Sequence, residues 1–147
     1  MKTATPVFRT LPDVDARSLL ARHHVGRIAY SLHDRVDIEP VHYSYDGDWL
    51  YGRTSMGTKL STLAHHPWCA FEVDEVQALF DWASVVVKGS FHLLDPESTG
   101  AYGRAFELVS SLLPDTFLPE DPVPHRTVLF GIYIAEISGR AATTGRE

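Results

Sequence analysis

The chain is poor in the residues that staple small proteins or tie them to membranes and nucleic acids. Among 147 residues there is one cysteine, Cys69, which excludes an internal disulfide and a multi-cysteine metal site. No apolar run approaches the ~20 residues that a bilayer-spanning helix needs. Met1–Leu11 lacks the apolar core of a secretory signal. Positive charge is scarce: 13 Lys and Arg stand against 19 Asp and Glu, for a net charge of −6. That balance, with no basic stripe of interleaved aromatics, argues against general nucleic-acid binding, which draws its affinity from phosphate neutralisation. These absences fit a protein of the reducing cytoplasm. Cys69, set in an apolar strand pattern, then serves as a small buried hydrophobe.

The material present is that of one globular domain, 1–147, with its core over about 13–140. Apolar residues make up 44% and charged residues 22%, enough to bury a core unaided. Pro12-Asp13 introduces a helix with Asp13 as N-cap, ending before Gly26. Strands follow at Arg27–Leu32 and Val36–Tyr45 around His33-Asp34-Arg35. Asp46-Gly47 then marks a hairpin, because turns of this kind need positive φ. A third strand ends at Tyr51, and a short helix at Thr58–His66 is stopped by Pro67. Trp68–Val76 and Trp82–Leu94 read as strands flanking a loop at Asp74–Asp81. Gly89 inside the longer strand predicts a bulge or bend. Asp95-Pro96 opens a helix to about Leu113, four prolines between Pro114 and Pro124 make an irregular loop, and Val128–Ser138 is the last strand. Residues 139–147 read as a tail. Six strands joined mostly by tight turns predict a mainly β fold with short helices, an antiparallel six-stranded barrel, closed or partly closed.

One stretch concentrates chemistry. Trp49–Leu63 reads W-L-Y-G-R-T-S-M-G-T-K-L-S-T-L, a strand ending at Tyr51, then a glycine, Arg53, Thr54 and Ser55, then Gly57 and a helix that opens at Thr58-Lys59. Free N–H groups and the dipole at a helix N-terminus favour an anion, and Arg53 and Lys59 add charge. The pattern is not a Walker loop. It marks a phosphate seat or a capped helix start with two solvated cations.

The eight histidines include no H-x-x-x-H pair on a helix and no H-E-x-x-H, so no zinc site is expected. His65-His66 sits at a helix C-terminus, where a cation is favoured. The aromatics Trp49, Tyr51, Trp68, Phe71 and Phe91 alternate along strands as core residues do. No Ser is set in G-x-S-x-G, and no catalytic triad is evident.

Four pieces in one order, V-G-R-I-A at 25–29, E-P-V-H-Y at 39–43, G-R-T-S-M-G-T-K-L at 52–60 and W-A-S-V-V-V-K-G at 82–89, resemble the pyridoxamine 5′-phosphate oxidase-like FMN-binding split-barrel superfamily. The chain is most similar to its small nitroimidazole-resistance-like branch. The resemblance implies a homodimer of six-stranded split barrels with FMN in two clefts at the subunit interface. It implies that Arg53, Thr54 and Lys59, with Ser55 and Thr58 nearby, hold the flavin phosphate. Glu39, Pro40, Val41 and His42 match the strand whose edge lies along the isoalloxazine ring, and Trp82 and Ser84 match further positions of the flavin site. His42 is placed to hydrogen-bond the flavin or donate a proton, or else to face solvent. Vitamin B6 oxidation is not implied, because the late basic residues are only Arg126, Arg140 and Arg146 and not the arginine-rich end that grips that substrate. The expected activity is electron transfer from a nicotinamide donor through FMN to a small acceptor, a nitro compound or quinone. A non-catalytic FMN carrier or sensor, or a haem- or deazaflavin-binding member of the fold, stands as the alternative.

Overall fold

In the computed structural model, which describes residues 5–54, 58–97, 99–112 and 128–145, eight strands form one antiparallel sheet. The elements run β1 Thr5–Leu11, α1 Asp13–Arg22, β2 Val25–Leu32, β3 Arg35–His42, β4 Ser44–Asp46, β5 Trp49–Thr54, α2 Thr58–His65, β6 Trp68–Ala78, β7 Asp81–Leu93, α3 Thr99–Leu112 and β8 Val128–Gly145. The spatial order is β3-β2-β6-β7-β8-β5-β4. β8 is the spine. Its first part pairs β5, from Val128 opposite Thr54 to Tyr133 opposite Trp49. Its last part pairs β1, from Gly139 opposite Leu11 to Gly145 opposite Thr5, and β7 runs along nearly all of it.

The split barrel is mainly β with short helices, as the sequence predicts, but it has eight strands where the sequence predicts six, because β1 is added and the second predicted strand divides. Residues 139–145 are strand and not tail, and Thr5–Leu11 is their partner. The stretch Val36–Tyr45 divides into β3 and β4. The supposed loop Asp74–Asp81 is strand down to a two-residue turn, Leu79-Phe80, because Ala78 pairs Asp81. The hairpin turn after β4 is centred on Gly47-Asp48, one residue later than the Asp-Gly reading, with Gly47 at φ 63°. Asp13 does not cap α1. Pro12 holds that position, and its carbonyl accepts from the N–H groups of Asp15 and Ala16. Asp95 accepts from the Glu97 N–H at 2.9 Å in a local turn, and α3 opens only at Thr99.

Two glycines shape the curl of the sheet. At Gly89 the register against β8 slips by one residue. A Cβ there would lie 1.8 Å from the Tyr133 carbonyl oxygen, so the backbones meet where only hydrogen fits. At Gly52 a Cβ would lie 2.8 Å from the His42 carbonyl oxygen and 2.6 Å from the Phe130 ring. That approach brings β5 against the end of β3 and curls the sheet around one core. The core takes Leu19 and Leu20 from α1, Tyr43 from between β3 and β4, and Ile28, Leu50, Phe71, Val85, Phe91 and Ile132 from five strands. The Tyr43 hydroxyl, buried and so raised in pKa, donates to the Leu20 carbonyl at 2.6 Å. A second cluster, Tyr51, Ala105, Val109 and Leu129, lies where α3 covers the outer surface of β5 and β8. Trp68 departs from the core reading. It is 56% exposed on the outer side of β6, whereas Phe71 and Phe91 are buried.

Candidate cofactor site

Strand alternation and the barrel's closure bring three of the sequence-named segments to one corner. The end of β3 carries Glu39, Pro40, Val41 and His42. The end of β5 carries Arg53 and Thr54. The first residues of α2 are Thr58 and Lys59. Gly52 joins the first two, because its backbone packs on the His42 carbonyl. Val41 and Thr54 point inward and are buried, Arg53 and Glu39 are half-buried, and Pro40 and His42 are exposed. Ser55 lies outside the described residues, as do the side chains of Thr58 and Lys59. Glu39 accepts from the Tyr30 hydroxyl at 3.2 Å. Burial, then the neighbouring Glu39 carboxylate, pushes that hydroxyl up to about 12.

Trp82 and Ser84 sit elsewhere in the chain. The ladder sets Trp82 opposite Ala142 and Arg53 opposite Leu129, at the two ends of β8. Across the open side of the sheet, three strand spacings of ~4.8 Å separate the level of Ser84 on β7 from that of His42 on β3. Trp82 is half-buried, its ring 6.3 Å from that of Phe8. The Ser84 hydroxyl donates to Glu72 at 3.0 Å, so its proton has a partner. Glu72 also accepts from Arg27, at 3.0 Å from Nε and 2.9 Å from Nη2, and Arg27 reaches Asp74 at 3.1 Å. Sequence reading assigned no role to Arg27, Glu72 or Asp74. Arg27 lies inside the V-G-R-I-A piece, but its partners are 45 and 47 residues away, so nothing local marked them.

Cys69 is buried, and burial alone pushes its thiol up to about 12, the behaviour of a packing residue rather than a nucleophile. His65 is the last residue of α2, and the His66 N–H donates to the Thr62 carbonyl at 2.9 Å, continuing the helical pattern by one residue. Among the described residues, no three His, Cys, Asp or Glu side chains converge on a metal-sized point.

The sequence profile of the pyridoxamine 5′-phosphate oxidase family matches residues 13–141. The chain belongs to this family. An uncharacterized protein of Rhizobium meliloti is 26% identical over 93% of this chain and 97% of its own length. The crystal structure of an FAD-binding protein from Mesorhizobium loti superposes with a TM-score of 0.80 at 28% identity, covering 95% of this chain and 99% of that one. A candidate 5-nitroimidazole antibiotic resistance protein from Bacteroides thetaiotaomicron shares the fold, with a TM-score of 0.71 at 13% identity over 94% of this chain and 89% of that one. The fold and family agree with the resemblance carried by the four sequence pieces. Among the described residues no helix is long and apolar enough to cross a membrane.

Proposed function

We propose that this member of the pyridoxamine 5′-phosphate oxidase family is a flavin-dependent oxidoreductase that binds FMN as a homodimer. One observation carries the reading. The backbone approach at Gly52 gathers the Arg53 end of β5, the start of α2 and the Glu39–His42 end of β3 into one corner. This corner fits a flavin's two unlike halves. A dianionic phosphate suits Arg53, Lys59 and the N–H groups opening α2. A flat ring suits the outer edge of β3, where Val41 is packed inward and the backbone has no further strand to pair among the described residues. The Mesorhizobium loti relative, described as FAD-binding, supports a flavin. FMN and FAD share the phosphate next to the ribityl chain, and the basic segment matches that shared group.

A bound flavin would supply two-electron chemistry between a nicotinamide donor and a small acceptor such as a nitro compound or quinone. The chain's own residues bind and orient. Arg53 and Lys59 anchor the phosphate away from the ring. Thr54 and Thr58, with Ser55, offer hydroxyls beside it. His42, exposed at the end of β3, would be available to hydrogen-bond the flavin or donate a proton.

The homodimer reading rests on the outer side of β3, β2 and β6. Val36, Ile38 and Trp68 there are 76%, 67% and 56% exposed. Between them lies a groove of about 270 Å³ lined by Ala29, Val36, Trp68, Ala70 and Lys88. Apolar surface of this kind marks an interaction site.

The visible spectrum of the purified protein, with and without added FMN, tests the cofactor. Flavin bands support the reading, a Soret band assigns haem instead, and a colourless protein with no FMN affinity overturns it. Arg53→Ala combined with Lys59→Ala is expected to weaken FMN binding by on the order of 100-fold or more, each charge-assisted contact being worth about 1.5–3 kcal/mol. Unchanged affinity would place the phosphate elsewhere. A monomer in sedimentation would remove the interface cleft.

A further inference from the structure

A row of small side chains leaves a recess under α1. The ladders set Glu75, Ala83, Ala141 and Arg9 side by side across β6, β7, β8 and β1. Residues facing each other on paired strands point the same way, and Ala141 is buried, so the row looks toward the core. Two alanines at its middle make low ground between two long charged side chains. α1 crosses above β7 and β8. Its Asp15, Ser18 and Arg22 follow the i, i+3, i+7 spacing of one helix stripe and line the recess. Leu11, Leu19 and Ala83 give it an apolar floor. The cleft measures about 210 Å³. A water takes up about 30 Å³ of liquid, so this space suits a small organic molecule better than a single ion.

The charges around it are unevenly used. Arg22 is committed. Its Nη2–H donates to Glu75 at 3.0 Å, its Nε–H donates to the same carboxylate, and its Nη1–H reaches the Ser18 hydroxyl at 3.4 Å. His23 takes Glu75 as well. Arg9 and Asp15 differ. Both line the cleft, yet among the described residues neither side chain has a hydrogen bond or ion pair, with each other or with anything else. One open guanidinium and one open carboxylate therefore border the same apolar floor.

That arrangement discriminates by charge. A simple anion would gain Arg9 but meet Asp15, and a simple cation would meet the reverse. A molecule carrying both charges on a small apolar body satisfies both at once.

We propose that this cleft binds a free α-amino acid with a short branched aliphatic side chain. The Arg9 guanidinium donates to the carboxylate as a fork, the ammonium donates to Asp15, and the side chain lies on Leu11, Leu19 and Ala83. The cleft is at the Arg9 end of the β8 ladder and the Arg53 corner at the other, so the proposal stands apart from the flavin reading.

A methyl NMR titration tests it, with L-valine added to full-length protein labelled at its alanine methyl groups. The Ala83 and Ala141 signals are expected to move, with a Kd of about 1 mM or tighter, while Ala29 and Ala70 of the outer groove stay still. Arg9→Gln and Asp15→Asn are each expected to weaken the Kd roughly ten-fold or more. Both positions are exposed, and the valine-free spectrum of each variant shows whether its fold is kept. Two analogues separate the charges: 3-methylbutanoate lacks the ammonium, and 2-methylpropylamine lacks the carboxylate. Each is expected to bind roughly ten-fold or more weakly than valine. No shift at Ala83 with about 20 mM valine, or shifts at Ala29 and Ala70 instead, would overturn the site. Folded variants that bind valine like wild type, or either analogue binding as well as valine, would overturn the paired roles of Arg9 and Asp15.

Discussion

The outer surfaces of β5–β8 and of β3–β2–β6 belong to the same sheet, yet among the described residues only the first is closed by a helix. Under α3, Leu129 and Ala105 are fully buried, Tyr51 is nearly so, and Arg104 is tied to Asp46 at 3.0 Å. On the other surface Val36 and Ile38, equally apolar, stand in solvent. Burial of such side chains is worth about 1.5–3 kcal/mol each. The fold spends residues of one kind on stability in one place and holds them unsatisfied in the other. That contrast separates what makes the barrel stand from what it offers to another surface.

The largest effect should come from the covered side. Leu129→Ala is expected to lose about 2–5 kcal/mol in chemical denaturation, the range for a fully buried leucine. A loss below about 1 kcal/mol would mean that α3 re-closes over the gap and that the two surfaces differ less than their burial suggests. The matching change on the bare side should scarcely move monomer stability. Ile38→Asp is expected to shift folding by about 0.5 kcal/mol or less, the usual scale of a surface substitution, while weakening self-association ten-fold or more in sedimentation. If association is untouched, the bare surface is not where copies meet.

The smallest effect concerns the clip that steadies the open half. Hydrogen bonds from Arg22 and then His23 hold the Glu75 carboxyl down to about 2. A carboxyl lowered in the folded state contributes its stability fully above its ordinary value of about 4.3 and loses it as pH falls toward 2. Glu75→Gln should therefore flatten the acid limb of stability between about pH 5 and pH 2. The change at neutral pH should be about 1 kcal/mol at most, because the Arg22 side chain is 50% exposed and screened by solvent. An acid limb identical to wild type would remove the clip from the stability of this region.

The uneven legibility of the sequence follows the same physical lines. Gly89 announced its bulge, because a missing side chain in a Val-rich strand has few other uses. The corner at Arg53 was legible because its cations, hydroxyls and helix start are neighbours in sequence. β1 was not: Thr5–Leu11 shows no clean alternation, exposes Val7 and Phe8, and becomes a strand only through pairing with residues more than 120 positions later. The Arg27–Glu72–Ser84 network stayed hidden for the same reason. Trp68 was misplaced because it lies three positions from Phe71, an odd spacing that puts the two on opposite faces of β6, and only the face of Phe71 is inward. The alpha-1 cap was misread by one residue, since Pro12 offers a carbonyl where a side chain was expected.

The pairing of Thr5 with Gly145 has a consequence in time. A chain made from its N-terminus exposes β1 before any other described strand, yet the strand that completes its pairing follows all the others. Until then the middle of β8 is missing too, and β7 and β5 have no neighbour between them. Loop-closure entropy must be met before such distant contacts return anything, so folding should be slow and should wait for Val128–Gly145. In the interval the apolar turn at Leu79-Phe80 and the bare strands of β6 and β7 are open to wrong partners, which makes the nascent chain the most aggregation-prone state this protein passes through.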